Sequence, residues 1–216
     1  MKRVSSNSGE SVGRGFSLLE MLVVVAVVSV LVAVVVPGLV PERGMRAGQG
    51  ARALIEGSVS RARAHAVATG EDTALVLVGY DAPQAGAGGR QLAVVALDPS
   101  GVPVRVLGNW EALPEGMVFL DQATAGAVRP AVFDDPARLE FSYAGMPVSG
   151  PFLRFDRRGA LVHPGAAVLL DVLVGRGVVN GGQVASSERS EAGEAVYQRI
   201  RLGRLNGRTR VIYQEE

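Results

Sequence analysis

Phe16 to Val36 reads FSLLEMLVVVAVVSVLVAVVV, an apolar run of 21 residues with a single charged group, Glu20. Wound as an α-helix at about 1.5 Å per residue it reaches roughly 32 Å, enough for a hydrocarbon core of about 30 Å. It is apolar on every side, so it is not an amphipathic helix laid on a core. Pro37 and Gly38 then interrupt the pattern. A cleaved secretory signal has an apolar region of about 7–15 residues followed by a small-residue cutting site. This run is longer, and VAVVVPGL offers no such site. A plain signal anchor accounts for the length but not for Glu20. A charge at mid-bilayer costs about 2.5–3.5 kcal/mol, and less near an end. Ser17-x-x-Glu20 has the spacing of a capping box, in which the carboxylate meets free N–H groups and the positive end of the helix dipole. Beyond that, an intramembrane carboxylate calls for a partner.

Arg14-Gly15-Phe16-Ser17-Leu18-Leu19-Glu20 resembles the processing motif of the type IV prepilin and pseudopilin superfamily, G-F-[ST]-L-[LIV]-E. The resemblance implies cleavage between Gly15 and Phe16 by the membrane prepilin peptidase, with N-methylation of Phe16. It implies that Glu20 pairs with the N-terminal amine of a neighbouring subunit, and that Pro37 matches the proline of the family helix. The physics suits that role. Cleavage leaves a cation in a low-dielectric setting, and an unpaired charge there is costly. Pairing with an acid from the next subunit would fix axial register. The leader, residues 1–15, carries Lys2, Arg3 and Arg14 against Glu10. The positive-inside rule keeps it cytoplasmic and exports the remainder. Expected organisation is therefore a cleaved leader at 1–15, a transmembrane and assembly helix at 16–37, an amphipathic helix at 38–70 and a periplasmic β-sheet domain at 71–216. Ala26, Ser29 and Ala33 share one face of the span and would allow close helix approach.

PERGMRAGQG, residues 41–50, is rich in Gly and charge and reads as a loosened helical stretch. Helical spacing resumes from Ala51 to Ala68, with Leu54, Ile55, Val59, Ala62 and Ala66 near one face and Gly70 as a stop. Strands are expected at Thr73–Tyr80, Gln91–Asp98, Val102–Leu107, Met117–Leu120, Arg138–Tyr143, Phe152–Asp156, Val168–Val174, Ala195–Leu202 and Thr209–Tyr213. Residues 82–89 and 175–194 read as mobile Gly-rich loops. One helix followed by a run of strands makes an α+β domain with an antiparallel sheet, which agrees with the type IV pilin-like fold the resemblance implies.

Composition removes several function classes. A formal charge of +1 over 216 residues argues against bulk electrostatic binding of nucleic acid. No cysteine is present, so disulfides, thiolate catalysis and Cys-ligated zinc are excluded. Two histidines, His65 and His163, leave little for a metal site; His65 reads as a solvated or interfacial helix residue and His163 as a satisfied loop residue. Asp134-Asp135 is a polar pair, not the cage of about six to eight oxygens that calcium takes. No nucleophile elbow, zincin helix or P-loop is present. The expectation is a non-enzyme without cofactor or metal.

Ser60-Arg61-Ala62-Arg63-Ala64-His65-Ala66, Trp110 with Leu113-Pro114-Glu115-Gly116-Met117, Phe155-Asp156-Arg157-Arg158-Gly159 and Gly207-Arg208-Thr209-Arg210-Val211 occur in this order. Together they resemble the H-type minor pseudopilins of type II secretion and the related fimbrial T-type minor pilins. The first resemblance implies an inner-membrane, single-pass subunit of a periplasmic pseudopilus whose partners are other pseudopilins and the prepilin peptidase. The second implies DNA capture through Arg208 and Arg210, with Arg199 and Arg201 nearby. Residues two apart on a strand share a face, so these pairs could grip phosphates. A solvated arginine face is the structural alternative.

Overall fold

The computed structural model describes residues 18–81, 88–127, 129–163, 169–191, 193–203 and 209–213, with side chains placed at all of these except 32–45, 169–170 and 209–213. Met1–Arg43 and Gly44–Glu216 are separate compact units. Helix α1 is assigned over Leu18–Thr69. The expected loosening at 41–50 does not occur: the helical assignment is continuous there. A helical glycine costs only about 1 kcal/mol relative to alanine, and two glycines have a packing use. Gly48 is buried where a side chain would meet the Gln198 amide, and a Cβ on Gly50 would stand 3.1 Å from Pro114 Cγ.

Within Gly44–Glu216, α1 buries Ile55, Val59, Ala62 and Ala66 of the expected face, with Leu54 half-buried, and adds Ala51 and Ser58. Gly70 ends the helix with φ +71°, its N–H bonded to Ala66 O at 2.9 Å. After the helix come β1 (Asp72–Leu77), β2 (Gln91–Leu97), β3 (Pro103–Val106), β4 (Glu111–Ala112) and β5 (Met117–Leu120). The short helix α2 (Gln122–Ala125) and a 3-10 turn at Val132–Asp134 follow. The remaining strands are β6 (Leu139–Tyr143), β7 (Met146–Gly150), β8 (Phe152–Phe155), β9 (Leu161–His163), β10 (Leu169–Asn180), β11 (Gln183–Ser186), β12 (Tyr197–Gly203) and β13 (Thr209–Tyr213).

All named strand pairings are antiparallel. One sheet has the order β3-β2-β1-β8-β9, with β4 also on β2; the other has β11-β10-β12-β13, with β5 also on β10; β6 and β7 form a hairpin. The buried face of α1 meets one side of both sheets. Leu75, Leu77, Leu92, Val94, Leu153 and Phe155 come from the first, and Met117, Phe119, Val172, Val174, Ile200 and Leu202 from the second. The far side of the first sheet, with Ala74, Val76, Val95 and Leu97, is covered by Leu139 and Phe141 of β6. The far side of the second, with Val118, Leu120, Leu173 and Tyr197, is covered by Ala125, Ala127 and Ala131. Covering both faces explains why β1 and β2 read as unbroken apolar runs instead of alternating, as buried strands do. Buried Thr73 donates to Ala62 O at 2.9 Å and ties β1 to the helix.

Two expectations need correction. The stretch 175–194 is not a loop throughout: β10 runs on to Asn180, turns at Gly181-Gly182 and returns as β11. Both turn glycines have positive φ, +56° and +78°, which is the hairpin geometry that matches strand twist. His163 lies on β9, stacked on Phe152, not in a loop. Within 82–89, residues 82–87 lie outside the described residues, whereas Gly88 and Gly89 are buried and Gly89 O accepts from the Phe119 N–H at 2.8 Å. Strands β4, β7, β9 and β11 were not legible, being two to five residues long and mostly half-exposed.

Candidate processing and assembly segment

Within the unit Met1–Arg43, every described side chain from Leu18 to Leu31 is exposed. Leu18 is 89% exposed, and Val24, the most covered of the large apolar side chains, still 50%. Isolated apolar side chains on a surface are ordinary, but a contiguous apolar surface marks a place meant to be covered by protein or lipid. Here the exposed surface runs right round a helix. Glu20 sits in the first turn of α1, where the helix dipole favours a carboxylate. Ser29 is the other polar residue of this stretch, and its hydroxyl donates to Val25 O at 2.8 Å, so its polarity is satisfied within the helix. The expected cut between Gly15 and Phe16, and Ser17 of the capping box, lie outside the described residues. Pro37 lies within the helical assignment, and its side chain lies outside the described ones. Among the described residues no helix is long and apolar enough to cross a membrane. The span expected at 16–37 begins before the described residues, and its side chains after Leu31 lie outside the described ones.

The arginines of the other expected site are placed quite differently. Arg201 lies directly across the ladder from Asp171. Its guanidinium grips the carboxylate through Nε at 2.9 Å and Nη2 at 3.2 Å. Arg199 Nε stands 3.5 Å from the same carboxylate, at ion-pair distance without a hydrogen bond, and its Nη2 donates to Tyr197 Oη at 3.1 Å. Asp171 is 3% exposed. The hydrogen bonds that Arg201 donates to Asp171 outweigh burial and raise the Arg201 pKa above its ordinary value. Arg210 is the register partner of Arg201 on β13, and its side chain lies outside the described ones; Arg208 lies outside the described residues. Thus Arg199 and Arg201 neutralise a buried acid, which the sequence reading did not foresee. The signal was there: Asp171 interrupts the apolar run VLLDVLV, and a charge at a buried strand position requires a partner. Asp171→Ala should cost about 2–3 kcal/mol, less than the roughly 3–5 of a fully buried pair because both guanidiniums keep some contact with water. Adding Arg201→Met to that variant should cost little more, as denaturant titration would show.

A second polar tie joins α1 to β4. Ser58 donates to Glu111 Oε2 at 2.6 Å, and Arg61 Nη2 reaches both Glu111 oxygens at 2.7 Å. Burial pushes the Glu111 carboxyl up, but the hydrogen bonds from Arg61 and Ser58 together hold it below the usual range. His65 Nε2 lies 3.6 Å from Glu71, itself paired with Arg105 at 2.9 Å. Asp134 accepts the N–H groups of Gln122 and Ala131, and Asp135 that of Ala137, so both carboxylates brace turns.

The family model for the prokaryotic N-terminal methylation motif matches residues 13–36. This chain carries that motif. No curated protein and no solved structure matches. The motif begins just before the expected cut and ends just before Pro37, so it spans Gly15, Phe16, Glu20 and the exposed apolar helix together. The residues after 36, which hold both sheets, lie outside the match.

Proposed function

We propose that the chain is a minor pseudopilin, a structural subunit of a type II secretion pseudopilus and not an enzyme. In this reading prepilin peptidase removes residues 1–15 and methylates Phe16. The protein then sits in the bacterial inner membrane as a single pass, N-terminus in the cytoplasm and sheets in the periplasm, until it joins other pseudopilins in a fibre. The observation that carries the proposal is the coincidence of the methylation motif at 13–36 with a helix exposed and apolar all round from Leu18 to Leu31. Such a surface needs lipid before assembly and neighbouring helices after it. The ordered downstream segments, Trp110 with Leu113–Met117 and Phe155–Gly159, resemble the H-type minor pseudopilins and the related T-type minor pilins alike, and both surround turns. Met117 N–H bonds to Pro114 O at 3.0 Å, and Gly159 N–H to Asp156 O at 2.7 Å. The rival reading, a type IV minor pilin that takes up DNA, needs free arginines, and the engagement of Arg199 and Arg201 by Asp171 weighs against their part in it. Mass spectrometry of the protein from cells with an active prepilin peptidase should show a chain starting at methylated Phe16. Recovery of the intact leader from assembled material would overturn the proposal.

A further inference from the structure

The turn between β8 and β9, Asp156-Arg157-Arg158-Gly159-Ala160, is stiffened by one side chain. Asp156 Oδ1 accepts the N–H of Arg158 at 2.9 Å and of Ala160 at 2.8 Å, and Asp156 O accepts that of Gly159 at 2.7 Å. Gly159 has φ +74°, and a Cβ there would stand 3.0 Å from Val67 Cγ2, so the turn lies directly against α1. From that helix Arg63 Nε donates to Gly159 O at 2.9 Å, which brings a third guanidinium to the two of the turn. Arg157 and Arg158 are exposed, and among the described residues their side chains have no hydrogen-bond or ion-pair partner. Asp156 is engaged by the backbone. Glu71 and Asp72, where α1 leads into β1, are already matched, to Arg105 at 2.9 Å and Arg154 at 2.6 Å. Like charges fixed on one turn repel, and an opposing carboxylate relieves them. Val67, 59% exposed, adds apolar area beside them.

We propose that Arg63, Val67, Arg157 and Arg158 form a docking surface for the acidic, carboxylate-bearing face of a neighbouring protein subunit. The inference deepens the pseudopilin reading and rests on it for the identity of the occupant. Charge complementarity selects an acidic partner. Guanidinium beside exposed apolar area is the composition of a protein interface, and no aromatic ring stands among these residues to stack a nucleic-acid base. A turn already fixed by Asp156 loses little freedom on binding, so the ion pairs keep more of their gain. Exposed charges steer encounter and orientation more than they add affinity, so this surface would choose among neighbours while the apolar helix holds the fibre.

Titrating the full-length chain in detergent micelles against a fluorescent hexaglutamate peptide, read by anisotropy, tests the surface directly. Arg157→Gln with Arg158→Gln should weaken binding about tenfold, as expected of two exposed ion pairs, and added salt should weaken the parent chain likewise. Neither arginine holds the fold, so the melting temperature should not move. Arg138→Gln with Arg176→Gln makes the same charge change at exposed positions elsewhere and should leave binding unchanged. Absence of saturable peptide binding overturns the proposal, as does equal loss in the two double variants. Tighter binding of a single-stranded oligonucleotide of equal charge through Arg157 and Arg158 also overturns it and assigns the turn to nucleic acid. In cells, Arg157→Glu with Arg158→Glu should leave the mass of the mature chain unchanged and lower its share of the fibre fraction; normal incorporation overturns the proposal. The peptide titration needs no processing, so it decides the surface even where the mass of the mature chain refutes the pseudopilin reading.

Discussion

Glu20→Ala and Glu20→Gln should both leave cleavage after Gly15 and methylation of Phe16 intact, yet remove the protein from fibres. Cleavage acts at Gly15–Phe16, whereas Glu20 stands in the first turn of α1, in a stretch, Leu18 to Leu31, whose other side chains are all apolar except Ser29. In the proposed fibre the carboxylate faces the new amine of a neighbouring chain away from water. Removing one partner of such a pair costs roughly 3–5 kcal/mol, because the remaining charge is left buried and uncompensated. That is at least a hundredfold in an association equilibrium. The check is to shear fibres from cells and compare the variant in the fibre and membrane fractions, with the processed mass measured in each. Normal incorporation of either variant would remove the pairing role. Loss of processing would instead place Glu20 in peptidase recognition.

The second large effect is in the sheets. A Cβ at Gly150 would collide with the carbonyl oxygen of Leu77 and stand 3.1 Å from Gly79 N. Both obstacles are backbone, and neither can swing aside. They are held there by the strands themselves: Leu77 N–H bonds to Pro151 O at 2.9 Å and Gly79 N–H to Ser149 O at 3.0 Å, where the end of β7 crosses the end of β1. Gly150→Ala should therefore destabilise the protein by about 3 kcal/mol or more, at the upper end of overpacking costs. For a chain of this size that lowers the melting temperature by roughly 6–12 °C. Gly57→Ala is the matched control. It adds the same methyl group at an exposed helical position with nothing within 4 Å, and should stabilise by up to about 1 kcal/mol. Equal melting shifts in the two variants would show that crowding at Gly150 is not the cause.

How much could be read in advance divides along the range of the interactions. Phe16–Val36 stood out because its message is local: length, uniform apolarity, one acid and a following proline. The methylation motif at 13–36 falls on the same residues. The helical face Ile55, Val59, Ala62 and Ala66 was legible for the same reason, since a period of about 3.6 needs no knowledge of what lies opposite. Strands such as Met117–Leu120 and Thr209–Tyr213 matched residue for residue, being bounded by turn residues on the chain itself.

What the tertiary structure alone decided concerns partners distant along the chain. Arg199 and Arg201 looked like a cationic face because no acid stands on their own strand, and the register of β10 against β12 sets Asp171 opposite Arg201 and within ion-pair distance of both. His163 looked like a loop residue because β9 is three residues long and exists only through its pairing with β8. Gly48 looked like a weak point in the helix, yet it and Gly150 each mark where a distant segment, at Gln198 or Leu77, comes too close for a side chain. Local pattern determined which segments are apolar rod, helix and strand, because those preferences belong to the chain's own backbone and side-chain period. Charge pairing and close contact depend on which strands lie side by side, and only folding brings those together.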